Sequence, residues 1–228
     1  ILKQLSDACA KRHIALCLYY SIADWHHPNA YNPESSHQIP PLPTDEPNQQ
    51  KYTAYVRSQL KELLTGYGKI YGLFWDVPPH FTDHSINELA RQLQPGIMIN
   101  DRGYDEGDFS TPERSLPEGS CFSNPTEACQ SVGDQSWGYR WNEDYYSTGF
   151  LTRSIDKIMA MGGNYLLNVG PMPSGKIPPK AVQVRSAAGI SGSKSRLKAL
   201  IPVPDYFLRT RFWLQEKKIR FTCIFIKD

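Results

Sequence analysis

The chain has 228 residues, of which 40% are apolar and 21% charged, with a formal charge of +2. That balance is ordinary for a folded domain and excludes a disordered, collagen-like or coiled-coil chain; the charge is too small, and Lys and Arg too scattered, for a nucleic-acid-binding surface. No apolar run approaches the roughly 20 residues a membrane-spanning helix needs, while an aromatic content of 12% permits, without establishing, a protein that stacks rings on sugars.

In chain order, Leu2, Leu5, Ala8 and Cys9 keep helical spacing from the start, predicting a helix over 1–13. A chain that opens inside a helix, with no leader segment, reads as a fragment whose upstream part is missing. Residues 13–20 are a continuous apolar run, the mark of a strand buried on both faces. Residues 21–50 hold six prolines and predict a long loop of the kind that carries function. A helix over 51–67, a buried strand over 70–76 ended by Pro78-Pro79, a helix over 85–93 and a short strand over 97–100 follow. Residues 101–149 are polar and aromatic. A helix over 147–161 and a strand over 165–169, stopped by Gly170-Pro171, complete the pattern.

Short buried strands alternating with helices predict a parallel sheet. Polar residues recur just past the strands: Asp24, Asp76, Asp101 with Arg102, and Asn168. Such sheets place their chemistry at the carboxyl ends of strands. No Gly-rich phosphate loop follows any strand, so an incomplete (β/α)8 TIM-like barrel lacking its first strands is preferred to a dinucleotide-binding fold. The absent strands would leave an unpaired sheet edge. The expected division is a partial barrel over 1–180 and an atypical tail over 181–228, out of frame or divergent. A strand over 221–226 is conceivable there, with no partner to assign. Five cysteines (Cys9, Cys17, Cys121, Cys129, Cys223) show no CxxC spacing; buried thiols are expected, with a Cys121–Cys129 bridge permitted but unsupported. No metal site is expected.

Residue by residue, the chemistry stays open. Asp76 follows a buried strand and precedes two prolines, and an anchoring and a catalytic role weigh equally. Glu113 and Glu127, each in a loop or short extended piece, read as surface carboxylates when taken alone. Trp25, His26 and His27 offer a stacking face and polar donors; Arg102 could hold a substrate oxygen or pair with Asp76 or Asp101. A glycosidase would need two such carboxyl groups across a sugar, one ionised and one protonated.

Together, the stretches 18–28 (LYYSIADWHHP), 74–76 (FWD), 99–103 (INDRG), 107–113 (GDFSTPE), 136–139 (SWGY) and 166–171 (LLNVGP) resemble the alpha-L-fucosidases of glycoside hydrolase family 29, in the family's order over residues 1–180. The resemblance implies a TIM-like barrel and a retaining hydrolase that releases terminal alpha-L-fucose from fucosylated oligosaccharides or glycoconjugates, without cofactor or metal, and without a nucleic-acid or membrane partner. It implies Asp76 as nucleophile and Glu113 as acid/base. Glu127 is the runner-up, at a Trp-Glu-x-Cys position where Thr126 replaces the Trp. Tyr20, Trp25 and His26 would form the wall of the sugar pocket, Phe74 an apolar contact to the sugar's methyl group, and Arg102 a contact near the sugar or nucleophile. The family's upstream sugar-binding His-Trp pair and Lys-His-His-Asp run are not in the sequence, and the tail departs from the family after residue 178. A secreted, periplasmic or lysosomal location is a family expectation. The alternatives are a non-catalytic sugar-binding remnant and a barrel glycosidase for a related sugar.

Overall fold

In the computed structural model, residues 1–24, 26–30, 42–79, 81–187 and 220–224 are described; Trp25 and residues 31–41 of the proline-rich loop lie outside them. Helix α1 (Leu2–Lys11) buries Ser6 and Cys9 and ends where His13 turns to φ +54°. Strand β1 (Ile14–Ser21) follows, with Ala15, Leu16, Cys17 and Leu18 all buried, as a strand covered on both faces requires. Helix α2 (Gln49–Gly66) starts at Asn48, whose side chain accepts from the Lys51 N–H, and buries Tyr52, Val56, Leu60 and Leu64 at four-residue spacing. Strand β2 (Gly72–Asp76), helix α3 (His84–Leu93, capped by Asp83) and the two-residue strand β3 (Met98–Ile99) follow in turn.

These elements form a sheet of order β3-β2-β1-β6, where β6 is Arg220–Ile224. All of its ladders are parallel. The strand envisaged at 221–226 thus begins one residue earlier and has a definite partner: Cys17 pairs in register with Cys223, so the outer edge of β1 is not bare. In the β1–β2 ladder Tyr19 pairs with Phe74, Tyr20 with Trp75 and Ser21 with Asp76. The Ile22 N–H donates to the Asp76 carbonyl at 2.8 Å, extending the ladder past the last strand residue. This sheet, α1, α2 and α3 form one compact unit, Ile1–Phe109 with β6, around Leu18, Val56, Leu60, Leu73, Trp75 and Ile86.

A second unit falls within Ser110–Phe212. Strand β4 (Glu127–Ser131) pairs in parallel with β5 (Asn164–Asn168), with Glu127 opposite Asn164 and Ser131 opposite Asn168. Two parallel bridges, Ser110 to Thr126 and Glu113 to Cys129, lay an extended segment along the other side of β4. Helix α4 (Thr148–Ala160), capped by Ser147, buries Leu151, Ser154 and Ile158. Helix α5 (Pro179–Ala187) opens on a proline, where a missing N–H is harmless. Cys121 is an exposed thiol without a disulfide, which rules out the Cys121–Cys129 bridge.

Candidate active site

Asp76 is the last residue of β2. Alternation along a strand sends neighbours to opposite faces, and the ladder register puts Tyr19, Phe74 and Asp76 on one face. The Tyr19 O–H donates to Asp76 Oδ2 at 2.7 Å, and Arg102 Nη1 donates to Oδ1 at 3.1 Å. Each carboxylate oxygen therefore meets one donor and keeps lone-pair capacity for a substrate. The rings of Tyr19 and Phe74 stack at 6.0 Å with 21° between planes, and the Arg102 guanidinium lies 5.5 Å from the Phe74 centroid. Asp76 remains 27% exposed and Arg102 17%, so the pair is neither sealed nor fully solvated.

The backbone on both sides of Asp76 is unusually constrained. Asn100 is wholly buried; its Oδ1 accepts from the Trp75 N–H at 2.8 Å and its Nδ2 donates to the Trp75 carbonyl at 2.9 Å. One side chain thus imitates a neighbouring strand and continues the β2 ladder beyond the end of β3. The Trp75 indole donates to Asn87 Oδ1 at 2.9 Å and sits edge-on to Tyr20 and Tyr104. Glycine is required at 103, next to Arg102, because a Cβ there would come within 2.2 Å of Trp75 Cδ1. On the other side of Asp76, Val77 adopts φ +53°, a left-handed conformation that a β-branched residue rarely occupies.

Of the residues expected at the site, Phe74, Asp76 and Arg102 come together. Tyr20 does not. It faces away from Asp76 toward α2, where its O–H donates to Gln59 Oε1. Burial, with Tyr52, Tyr55 and Asp24 nearby, pushes its phenol pKa up, so it stays protonated. The adjacent Tyr19 takes the place expected of Tyr20; the two are separated only by strand parity, which a sequence without the ladder register leaves undetermined. His26 is exposed, and its backbone N–H donates to Asp24 Oδ1. His27 packs against Tyr52 and Tyr55 and accepts from the Asn29 N–H. Trp25 is outside the described residues.

The second unit contains both candidate acid/base carboxyls. Glu113 is exposed, and Trp137 Nε1 donates to its Oε1 at 3.1 Å. Asn168 Nδ2, at the carboxyl end of β5, donates to the Trp137 carbonyl at 2.6 Å. Glu127 begins β4 at its amino end, opposite Asn164. Burial raises the Glu127 pKa. Among the described residues no group of three or more His, Cys, Asp or Glu side chains could hold a metal ion.

The alpha-L-fucosidase family profile matches residues 1–190. The chain belongs to the alpha-L-fucosidase family. Human tissue alpha-L-fucosidase is 25% identical over 201 residues, covering 77% of this chain and 39% of the relative. Plasma alpha-L-fucosidase from Pongo abelii is 28% identical over 189 residues, covering 78% of this chain and 40% of the relative. The chain thus spans about two fifths of the length of these relatives, which are glycoside hydrolases. Among solved structures, alpha-L-fucosidase AlfC from Lactobacillus casei, in complex with its alpha-L-fucose product, is 28% identical with a TM-score of 0.69, over 83% of this chain and 64% of that one. Alpha-L-fucosidase isoenzyme 1 from Paenibacillus thiaminolyticus is 28% identical with a TM-score of 0.68, over 83% and 51%. Variants of AlfC are solved in complex with Fuca(1,6)GlcNAc and with 4-nitrophenyl-alpha-L-fucopyranoside.

Proposed function

We propose that the protein is a retaining alpha-L-fucosidase that removes terminal alpha-L-fucose from glycans by double displacement, in a (β/α)8 barrel of which residues 1–180 are a part and residues 181–228 an atypical tail. The observation that carries this is the Tyr19–Asp76–Arg102 arrangement at the carboxyl end of a parallel strand, in a chain of this family. Fucosylated oligosaccharides are the substrate class, in line with the alpha-L-fucosides bound by AlfC variants.

In the first step an oxygen of Asp76 bonds to the sugar's C1 as the bond from C1 to the leaving oxygen breaks. Glu113 gives its proton to that oxygen. In the second, Glu113 takes a proton from water, the water oxygen bonds to C1, the ester breaks, and the Asp76 carboxylate is restored. Tyr19 and Arg102 hold the nucleophile's two oxygens; Phe74, on the same face, meets the sugar's apolar edge. Trp25 and His26 belong to the pocket wall. Glu113 is preferred to Glu127 because Trp137 and Asn168 tie it to the carboxyl end of β5, whereas Glu127 lies at the amino end of β4, away from where such sheets do chemistry.

The test is Asp76→Gly in the full-length protein. Release of nitrophenol from 4-nitrophenyl alpha-L-fucoside is lost, and azide restores part of it by attacking C1 where the carboxylate stood. Undiminished hydrolysis would overturn the proposal.

A further inference from the structure

Glu113 and Arg114 are consecutive, yet both touch one indole. Trp137 Nε1 donates to Glu113 Oε1, and the Arg114 guanidinium lies 4.5 Å over the Trp137 ring. In an extended strand, successive side chains point to opposite faces, so this needs a break in the alternation. Arg114 supplies it, with φ +51°. The bend is anchored at both ends of the residue. The Arg114 N–H donates to the Cys129 carbonyl at 2.9 Å, and Nη1 donates to the Asp134 carbonyl at 2.7 Å and the Gly133 carbonyl at 3.3 Å. The loop carrying Trp137 is fixed from β4 and β5: Ser131 Oγ donates to the Ser136 carbonyl at 3.1 Å, and Asn168 Nδ2 to the Trp137 carbonyl.

We propose that Trp137 and Arg114 are positioning residues for the acid/base, the indole N–H holding one Glu113 oxygen and the stacked guanidinium holding the indole. An indole N–H only donates, so the oxygen it meets is an acceptor, and the transferable proton is directed to Oε2. The same bond then orients the carboxylate while it takes a proton from water. This rests on the acid/base role of Glu113, and surface packing alone would predict none of the kinetic behaviour that follows from it.

Proton donation matters most when the leaving oxygen is basic. The readout is the ratio of kcat/KM for a GlcNAc-linked fucoside to that for 4-nitrophenyl fucoside, measured in the full-length protein. Trp137→Phe keeps a ring face for Arg114 but removes the N–H, and the ratio falls about tenfold, the effect of losing one hydrogen bond to a charged group. Arg114→Gly keeps the left-handed backbone and lowers the ratio in smaller measure. Glu113→Gln lowers it most, and shifts the Trp137 indole N–H resonance in a ¹H–¹⁵N spectrum, a readout independent of turnover. If Glu113→Gln lowers the ratio while Trp137→Phe and Arg114→Gly leave it alone, or if the indole resonance does not move, the positioning role is overturned and the acid/base role stands. If Glu113→Gln does not lower the ratio, the acid/base role itself fails and the positioning role goes with it.

Discussion

Tyr19 and Asp76 meet across the first ladder of the sheet, the phenol O–H donating to Oδ2 at 2.7 Å from a strand position two residues before Ser21, the register partner of Asp76. A phenol on a rigid strand can hold the carboxylate's plane fixed, which is the preorganisation that the proposed role of Asp76 as nucleophile requires.

Removing that donor should separate chemistry from binding. A hydrogen bond to a charged group contributes about 1.5–3 kcal/mol, so Tyr19→Phe is expected to lower kcat roughly ten- to hundredfold with KM little changed. Tyr20→Phe, on the opposite face, is expected to keep kcat within about twofold, because it loses only the bond to Gln59. Steady-state kinetics on 4-nitrophenyl alpha-L-fucoside compare the two. Equal losses would refute the parity assignment.

Asn100 makes a prediction about stability. Asn100→Ala leaves the Trp75 N–H and carbonyl buried without partners, at about 1–3 kcal/mol each, so a total loss of about 2–6 kcal/mol is expected. Urea unfolding followed by tryptophan fluorescence measures it. A loss below about 1 kcal/mol would mean that the side chain does not substitute for a strand.

How far these features can be read from the sequence depends on what each residue faces. β1, β2 and β5 announce themselves because runs such as Leu16-Cys17-Leu18 and Leu73-Phe74-Trp75 leave no polar group to explain. β4 does not: of Glu127-Ala128-Cys129-Gln130-Ser131 only two residues are apolar, and Gln130 and Ser131 are buried through local bonds, the Ser131 N–H donating to Gln130 Oε1 at 2.9 Å. The position of Asp76 at a strand end was legible from the two prolines behind it. The identity of its tyrosine was not, because parity is set by a register with Phe74 that lies 55 positions away. Trp137 is marked only by the resemblance of the stretch 136–139, which gives it no role, and Arg114 carried no local signal, since a left-handed arginine has no sequence signature comparable to glycine.

Glu127 gives a pH dependence with a definite sign. Burial raises its pKa above the ordinary glutamate value of 4.5, so its protonated form is the one the fold favours. The stability it contributes is fully present below pH 4.5 and is lost as pH rises through the higher folded value. Glu127→Gln, permanently neutral, is expected to be more stable than the parent at neutral pH, with the difference shrinking to nothing as pH falls toward 4. Melting temperatures across that range measure it; a variant less stable at pH 7 than at pH 4, relative to the parent, would contradict the assignment.

Val77 offers a test of backbone strain directly beside Asp76, the proposed nucleophile. At ordinary strand or helix conformations glycine is less stable than alanine by about 0.5–1 kcal/mol, because it loses more freedom on folding. At φ +53° the order inverts, since a Cβ in the left-handed region costs about 1–2 kcal/mol. Val77→Gly is therefore expected to be more stable than Val77→Ala by about 0.5–1 kcal/mol, the difference between those two terms. The comparison cancels the lost valine side chain, which lines a hollow with Tyr52, Phe81 and Tyr104. If strain at this elbow also fixes where the Asp76 carboxylate points, the more stable glycine variant has the lower kcat of the two. Denaturant midpoints and turnover of 4-nitrophenyl alpha-L-fucoside, taken on the same pair, decide whether the chain holds Val77 in this conformation for the sake of the residue before it.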